Sequence, residues 1–183
     1  MGRCAGHSHV EDGRAVNPIR LIMLDVDGVL TDGSLPYLSD GNEFKAFHVQ
    51  DGSAIKLWQK CGGVAAIVSG RNLASVTHRA KGLGIEAVIQ GVAEKVEAYE
   101  SLLKRYGLSD AQVCVVGDDW MDIPPMRRSG YPIAVANAVA AVKRTARYVT
   151  RRRGGDGAIA EVVERLLRSN GAWREAVSEL TNG

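Results

Sequence analysis

Short, largely apolar runs recur along the chain from residue 19 onward, and they constrain the fold more than any other feature. Five such runs, rich in β-branched residues, span residues 19–26, 63–70, 86–91, 112–118 and 131–136. Strands buried on both faces of a parallel sheet have this character, whereas half-exposed strands alternate apolar with polar residues. The runs therefore predict five parallel strands.

Helical patterns separate these runs. Residues 93–108 carry an apolar stripe at helical spacing, formed by Val96, Tyr99, Leu102, Leu103 and Tyr106, and Gly107 is a typical stop signal. Strands that alternate with helices build a doubly wound parallel sheet, which is an α/β fold. The 183 residues are enough for one such domain with a substantial core.

One segment breaks the alternation of strands and helices. Residues 34–49 have two extended halves around a Ser-Asp-Gly-Asn turn, which predicts a β-hairpin flap after the first strand. We expect a flexible N-terminal tail over residues 1–17, the main α/β domain over 18–168, and a C-terminal tail or helix over 169–183. The interval between Asp27 and Gly70 is too short to hold a separate cap domain as well.

Acidic residues follow two of the predicted strands. Asp25 and Asp27 end the first run, and Asp118 and Asp119 end the fourth, with Asp122 close behind. Ligands of open parallel sheets bind at the carboxyl ends of the strands, so these carboxylates converge on one edge. Like charges raise one another's pKa unless a cation intervenes, and a hard divalent ion with oxygen ligands is the simplest relief. We therefore predict a Mg²⁺ site.

The spacing of Asp25 and Asp27 suits phosphoryl transfer. Once Mg²⁺ and Lys95 neutralise phosphate oxygens, Asp25 is able to attack phosphorus as a nucleophile. Asp27 is then available to give a proton to the leaving alcohol and to activate water. Ser69 ends a strand before a helical segment, where its hydroxyl and nearby backbone N–H groups face a phosphate.

Four motifs now resemble those of the haloacid dehalogenase superfamily, in the order in which that family carries them. They are DVDGVLTDG, IVSGR, the Lys of GVAEK, and GDDWMD, and they cover about residues 19–150. The resemblance implies that Asp25 is the nucleophile and Asp27 the acid/base, and that Ser69, Gly70 and Lys95 bind phosphate. It also implies a Mg²⁺ site formed by Asp25, the Asp27 carbonyl and Asp118, supported by Asp119 and Asp122.

A narrower resemblance extends over nearly the whole chain. GNEFKAFHVQDG, QGVAEK and YVTRRRGGDGAIAEV are similar to segments of the capless phosphatases that act on 3-deoxy-D-manno-octulosonate 8-phosphate and related sugar acids. Those proteins are homotetramers whose subunits close one another's sites. The resemblance implies that Arg71 and Arg79, which we expect on one stripe of a helix, bind the sugar acid. It also implies that residues 151–157 reach a neighbouring site.

Two alternatives remain open from the sequence. One keeps the chemistry but changes the substrate to a nine-carbon sugar-acid 9-phosphate. The other is a module without catalysis, either a signalling receiver or an assembly domain like those fused to sugar-acid cytidylyltransferases. Receivers do not need a second Asp two positions after the first, so Asp27 and Ser69 favour turnover.

Composition excludes several classes of protein. The formal net charge of +2 gives no electrostatic reason to expect nucleic-acid binding. The sequence has no apolar run of the length a membrane span needs. The three cysteines include no CxxC pair, which favours reduced thiols. We therefore expect a cytoplasmic enzyme with a small-molecule substrate, without nucleic acid or membrane as a partner.

Overall fold

The central strand of the main sheet is the one that leads into Asp25. The computed structural model describes residues 10–11, 14–15 and 19–181. Most of the predicted N-terminal tail lies outside these residues. The strands are β1 (Val10–Glu11), β2 (Arg14–Ala15), β3 (Leu21–Leu24), β4 (Val64–Ser69), β5 (Ala87–Gln90), β6 (Val113–Gly117), β7 (Tyr131–Ala134) and β8 (Tyr148–Val149). Strands β1 and β2 form a separate antiparallel pair.

The other six strands form one parallel sheet in the order β5-β4-β3-β6-β7-β8. From β3 the chain moves outward to β4 and β5, then returns across β3 to begin the other half of the sheet at β6. This reversal makes the carboxyl ends of β3 and β6 the topological switch point of the sheet. Ligands of open α/β sheets bind at such a point.

Helices connect the strands and pack in two groups. They are α1 (Val49–Lys60), α2 (Ala74–Leu83), α3 (Lys95–Tyr106), α4 (Ile123–Arg128), α5 (Ala140–Thr145), α6 (Ala158–Ser169) and α7 (Trp173–Thr181). Helix α1 packs against α2 and α6, and α6 against α7, whereas α4 packs against α3 and α5. No helix in the described part of the chain is long and apolar enough to cross a membrane.

The predicted fold class is confirmed, and the five predicted strands all occur with their ends shortened. The prediction missed β8, which has only two residues and pairs with β7 at the edge of the sheet. Strand β3 is buried along its whole length, as its apolar sequence requires. Helix α3 ends where expected, because Gly107 adopts a left-handed conformation with φ of 61°.

The flap is shorter than predicted. Val49 is the first residue of α1, so it does not belong to a hairpin. Antiparallel pairing is reduced to one bridge between Tyr37 and Glu43, around the predicted turn. Within residues 19–181 the structure contains no separate cap domain, because strands and helices of the sheet account for the rest of that range.

Candidate active site

The two carboxylates that follow β3 meet different partners. The Asp25 carboxylate is buried and accepts a hydrogen bond of 2.6 Å from the Lys95 ammonium. The Asp27 carboxylate is partly exposed and pairs with the ammonium of Lys45. Asp25 directly follows β3, whereas Asp27 already lies in the turn that comes next. One strand end therefore presents two carboxylates in environments of different polarity.

Lys95 is the buried cation of the site. It is the first residue of α3, and its ammonium also donates to Asp122 Oδ1 at 2.7 Å. Burial alone would lower the pKa of Lys95, but the facing charges of Asp25 and Asp122 outweigh it and raise that pKa. Lys95 is therefore a permanent positive charge beside Asp25.

Asp122 shapes the loop that follows β6. Its Oδ2 accepts from the backbone N–H groups of Asp118 and Asp119 at 3.0 and 3.2 Å, while its Oδ1 accepts from Lys95. Both oxygens of this buried carboxylate are thus engaged. The arrangement fits the supporting role expected of Asp122.

Asp119 lies farther from the centre. It is exposed, and its Oδ1 accepts from the N–H of Trp120 at 2.8 Å, which caps the 3₁₀ turn Trp120–Asp122. Its backbone N–H, bonded to Asp122, ties it to the loop. In this structure Asp119 therefore supports the conformation of the loop.

The donor set fits a divalent cation. One carboxylate oxygen from each of Asp25, Asp118 and Asp122 lies within 4.8 Å of the others. Asp118 Oδ1 is buried and has no hydrogen-bond partner among the described residues. Burial, together with the charges of Asp25 and Asp122, raises the pKa of Asp118 to about 8. An unpartnered carboxylate oxygen among other carboxylates is what a hard cation requires.

Burial also raises the pKa of Asp25. Lys95 opposes this effect and Asp122 adds to it, and the net result is a pKa of about 6. The two carboxyl groups that border the candidate metal position therefore both have raised pKa values when no cation is present. A bound cation would lower both pKa values.

The predicted phosphate-binding residues end β4. Ser69 is buried, and its Oγ accepts from the N–H of Arg71 at 3.2 Å. Gly70 follows it, and a Cβ there would lie 3.5 Å from the carbonyl oxygen of Val92 and 3.6 Å from the Met121 methyl group. The loop after β4 thus contacts the loop after β5, which leads to Lys95 at the start of α3.

The structure separates the two arginines that were expected to bind the sugar acid. The expectation of one shared helical stripe is wrong, because α2 begins at Ala74 and Leu73 before it is extended. Arg71 lies in the preceding loop, with its Nε 4.0 Å from Asp27 Oδ2. Arg79 instead donates to the carbonyl of His48 at 3.1 Å and lies over the Phe47 ring. Only Arg71 is brought to the carboxylates.

Two charged residues of the flap lie at the site although the sequence did not predict them there. Lys45 bonds both Asp27 and Glu43, and Glu43 bonds the Arg71 guanidinium. The Glu43 and Lys45 side chains are 5% and 1% exposed, whereas Phe44 between them is exposed. The alternation of charged residues with an aromatic residue indicates that the two kinds of side chain point to opposite faces of the flap. It does not indicate that the charged face points inward unless the residues facing it are known.

The segment 151–157 is held by its own chain. Its glycines contact the loop after β3, since Gly155 N–H donates to the Val29 carbonyl at 3.1 Å. At its end the Asp51 carboxylate of α1 accepts from Gly157 N–H and Ala160 N–H at 3.3 and 2.9 Å, and so caps α6. The exposed side chains of this segment, which remain available to reach a neighbour, are those of Arg151, Arg152, Arg153 and Asp156.

Comparisons with known proteins show which family this chain belongs to. Residues 87–163 match the model of the haloacid dehalogenase-like hydrolases. The 3-deoxy-D-manno-octulosonate 8-phosphate phosphatase KdsC of Escherichia coli K12 is 41% identical over 176 residues, which are 96% of this chain and 94% of that protein.

Solved structures show the same likeness. The 3-deoxy-D-manno-octulosonate 8-phosphate phosphatase of Moraxella catarrhalis, crystallised with magnesium ion, phosphate ion and KDO, is 37% identical with a TM-score of 0.86; the match covers 88% of this chain and 93% of that one. A probable YrbI family phosphatase of Pseudomonas syringae is 44% identical with a TM-score of 0.88, over 90% and 94% of the chains. The chain therefore belongs to the KdsC family of haloacid dehalogenase-like phosphatases.

Proposed function

We propose that this protein is a Mg²⁺-dependent phosphatase that hydrolyses 3-deoxy-D-manno-octulosonate 8-phosphate through a phosphoaspartyl intermediate on Asp25. The observation that carries the proposal is the buried ammonium of Lys95, 2.6 Å from Asp25 and beside the carboxylates of Asp118 and Asp122. The substrate is supported by the name of the E. coli relative and by the KDO, phosphate and magnesium in the Moraxella structure. The reaction would serve lipopolysaccharide precursor synthesis.

The residues divide the reaction into two displacements. Lys95 and Ser69 hold the phosphate while an Asp25 oxygen attacks phosphorus, and the bond from phosphorus to the sugar oxygen breaks. Protonated Asp27 gives its proton to the leaving oxygen. Asp27 then takes a proton from water, which attacks phosphorus, releases phosphate and restores the Asp25 carboxylate.

Asp25, the Asp27 carbonyl and Asp118 would hold the Mg²⁺. The bound ion supplies positive charge that lets a carboxylate approach an anionic phosphate. Asp122 and Asp119 keep the loop in place through the backbone and capping bonds described above. Lys95 supplies the other positive charge, and it is part of the protein itself.

We propose that Arg71 meets the carboxylate of the sugar acid. It lies 4.0 Å from Asp27, and its Nε has no hydrogen-bond partner among the described residues. Glu43 of the flap already pairs with part of the Arg71 guanidinium. The substrate carboxylate would therefore bind the same guanidinium as Glu43. Arg79 acts on substrate only through the α1 N-terminus, which it holds by the carbonyl of His48.

A comparison of Asp27→Asn with Asp32→Asn tests the chemistry. Asp32 lies in the same motif but is exposed and only accepts from Ser34 N–H. With Mg²⁺ and 3-deoxy-D-manno-octulosonate 8-phosphate, Asp27→Asn should lose at least about a hundredfold in kcat, since acid/base groups contribute about 10²–10⁴-fold. Asp32→Asn should remain near wild type. Equal turnover in all three proteins would exclude the proposed mechanism.

A panel of sugar phosphates tests the substrate. We expect the highest kcat/KM for the eight-carbon 8-phosphate, and a nine-carbon 9-phosphate should be the poorer substrate. A preference for the nine-carbon compound would be consistent with the proposed reaction but would show that the proposed substrate is wrong. Absence of turnover on every phosphate, including an aryl phosphate, would favour the assembly-domain alternative.

The proposal includes a homotetramer in the cytoplasm. The tetramer is supported by four exposed apolar side chains of the flap, those of Leu35, Tyr37, Leu38 and Phe44. Exposed apolar patches of this kind mark interaction surfaces. Sedimentation of the wild type should give four times the chain mass, and Tyr37→Asp with Phe44→Asp should dissociate it. A monomeric wild type would contradict this part of the proposal.

A further inference from the structure

The turn after β7 carries a side chain that joins two loops near the candidate metal position. Asn137 Nδ2 donates to the carbonyl of Gly28 at 2.8 Å, and Asn137 Oδ1 accepts from the N–H of Gly154 at 2.6 Å. Gly28 directly follows Asp27, and Gly154 belongs to the segment before α6. One amide therefore uses both of its ends to bridge segments distant in sequence.

These two segments meet backbone to backbone. A Cβ on Gly154 would lie 1.8 Å from the Gly28 carbonyl oxygen, which leaves no space for a side chain. A second bond, from Gly155 N–H to the Val29 carbonyl at 3.1 Å, runs beside the Asn137 bridge. The loop after Asp27 is thus supported along one side.

The other side of Gly28 faces the candidate metal ligand. A Cβ on Gly28 would lie 2.0 Å from Asp118 Oδ2, so the Asp118 carboxylate packs directly on the Gly28 backbone. The turn that carries Asn137 is itself tied to the Asp118 loop, since Val139 N–H donates to the Asp118 carbonyl at 2.9 Å. A displacement of Gly28 would therefore alter its contact with Asp118.

From these contacts we infer that Asn137 is a positioning residue, whose amide holds Gly28 against Asp118 and so sets the spacing between the Asp25–Asp27 segment and Asp118. This inference rests on the proposed function, because one of its two tests measures phosphatase activity. Asn137 touches neither substrate nor the reacting atoms in this account. It acts through the backbone carbonyl of Gly28.

Asn137→Ala tests the inference, with Ile133→Val as the matched control. Ile133 is buried in β7, the strand that leads to Asn137, so the control loosens the same element without removing the amide. With MgCl₂ alone, calorimetry should show a Kd for Asn137→Ala at least about threefold above wild type. With Mg²⁺ and an aryl phosphate, kcat should fall about tenfold or more, since displacement of about 1 Å can cost 10²-fold.

An unchanged Kd for Mg²⁺, a kcat within twofold of wild type, or equal losses in Ile133→Val would each overturn the inference. If Asn137→Ala does not fold, Asn137→Ser, which is also too short to span the two loops, undergoes the same comparison. The Mg²⁺ titration needs no turnover. If the wild type does not hydrolyse the proposed substrate, the Mg²⁺ titration still tests the role of Asn137. If Asn137→Ala binds Mg²⁺ like the wild type, the inference is wrong but the activity proposed for the wild type is unaffected.

Discussion

The substitution Lys95→Met removes the buried ammonium and so tests whether that positive charge offsets the repulsion among the carboxylates of the site. The ammonium bonds Asp25 at 2.6 Å and Asp122 at 2.7 Å. Without it, three carboxylates remain within 4.8 Å of one another. At an effective dielectric constant of about 20, two unit charges at that separation interact by about 3.5 kcal/mol. Loss of one partner from a buried ion pair costs about 3–5 kcal/mol.

We therefore expect Lys95→Met to lower the free energy of unfolding by about 3–5 kcal/mol in EDTA at pH 8, measured by urea denaturation. The matched control is Lys104→Met, on the exposed side of the same helix, which should change it by less than about 0.5 kcal/mol. Mg²⁺ at about 100 times the Kd should raise the free energy of unfolding of each variant that binds it by about 2.7 kcal/mol. Equal stability of the two variants in EDTA would refute the reasoning.

Three further predictions follow from the same contacts. In EDTA the free energy of unfolding should fall as pH rises from about 4 to about 8. In that window the raised pKa values of Asp25 and Asp118, about 6 and about 8, let the folded state bind more protons than the unfolded chain. Urea titrations in which the free energy of unfolding rises with pH would contradict this prediction. Asp51→Ala should cost about 1–2 kcal/mol by removing the cap of α6, and an unchanged urea midpoint would argue against the cap. Gly28→Ala should raise the Kd for Mg²⁺ at least about tenfold because its Cβ would meet Asp118. Gly41→Ala has the same positive φ and open space around it, and an equal effect on Kd in both would contradict the steric argument.

The sheet and the carboxylates were predictable because both depend on local sequence. Buried parallel strands are apolar throughout, and residues that end them must meet at one edge. Asp25 and Asp118 could be placed together without any knowledge of side-chain contacts. The two-residue strand β8 gave no comparable pattern, since pairing with β7 alone makes it a strand.

The charges contributed by the flap and the cap of α6 could not be predicted in the same way. Asp51 meets Gly157 and Ala160 across more than a hundred residues, and no local pattern encodes such a contact. Arg71 was placed on a helix because its neighbours favour helix, but the extended residue Leu73 delays the start of α2.

The double engagement of Asp122 has a consequence for the choice of cation. Because its two oxygens fix the loop through Lys95 and the N–H groups of Asp118 and Asp119, the loop is already ordered when the ion arrives. Little chain entropy is then lost on binding, and the spacing of the oxygens is not free to expand. Ca²⁺ takes six to eight ligands in adaptable geometry, whereas Mg²⁺ requires a compact octahedron. A loop held in this way should therefore discriminate by ionic radius and favour the smaller ion.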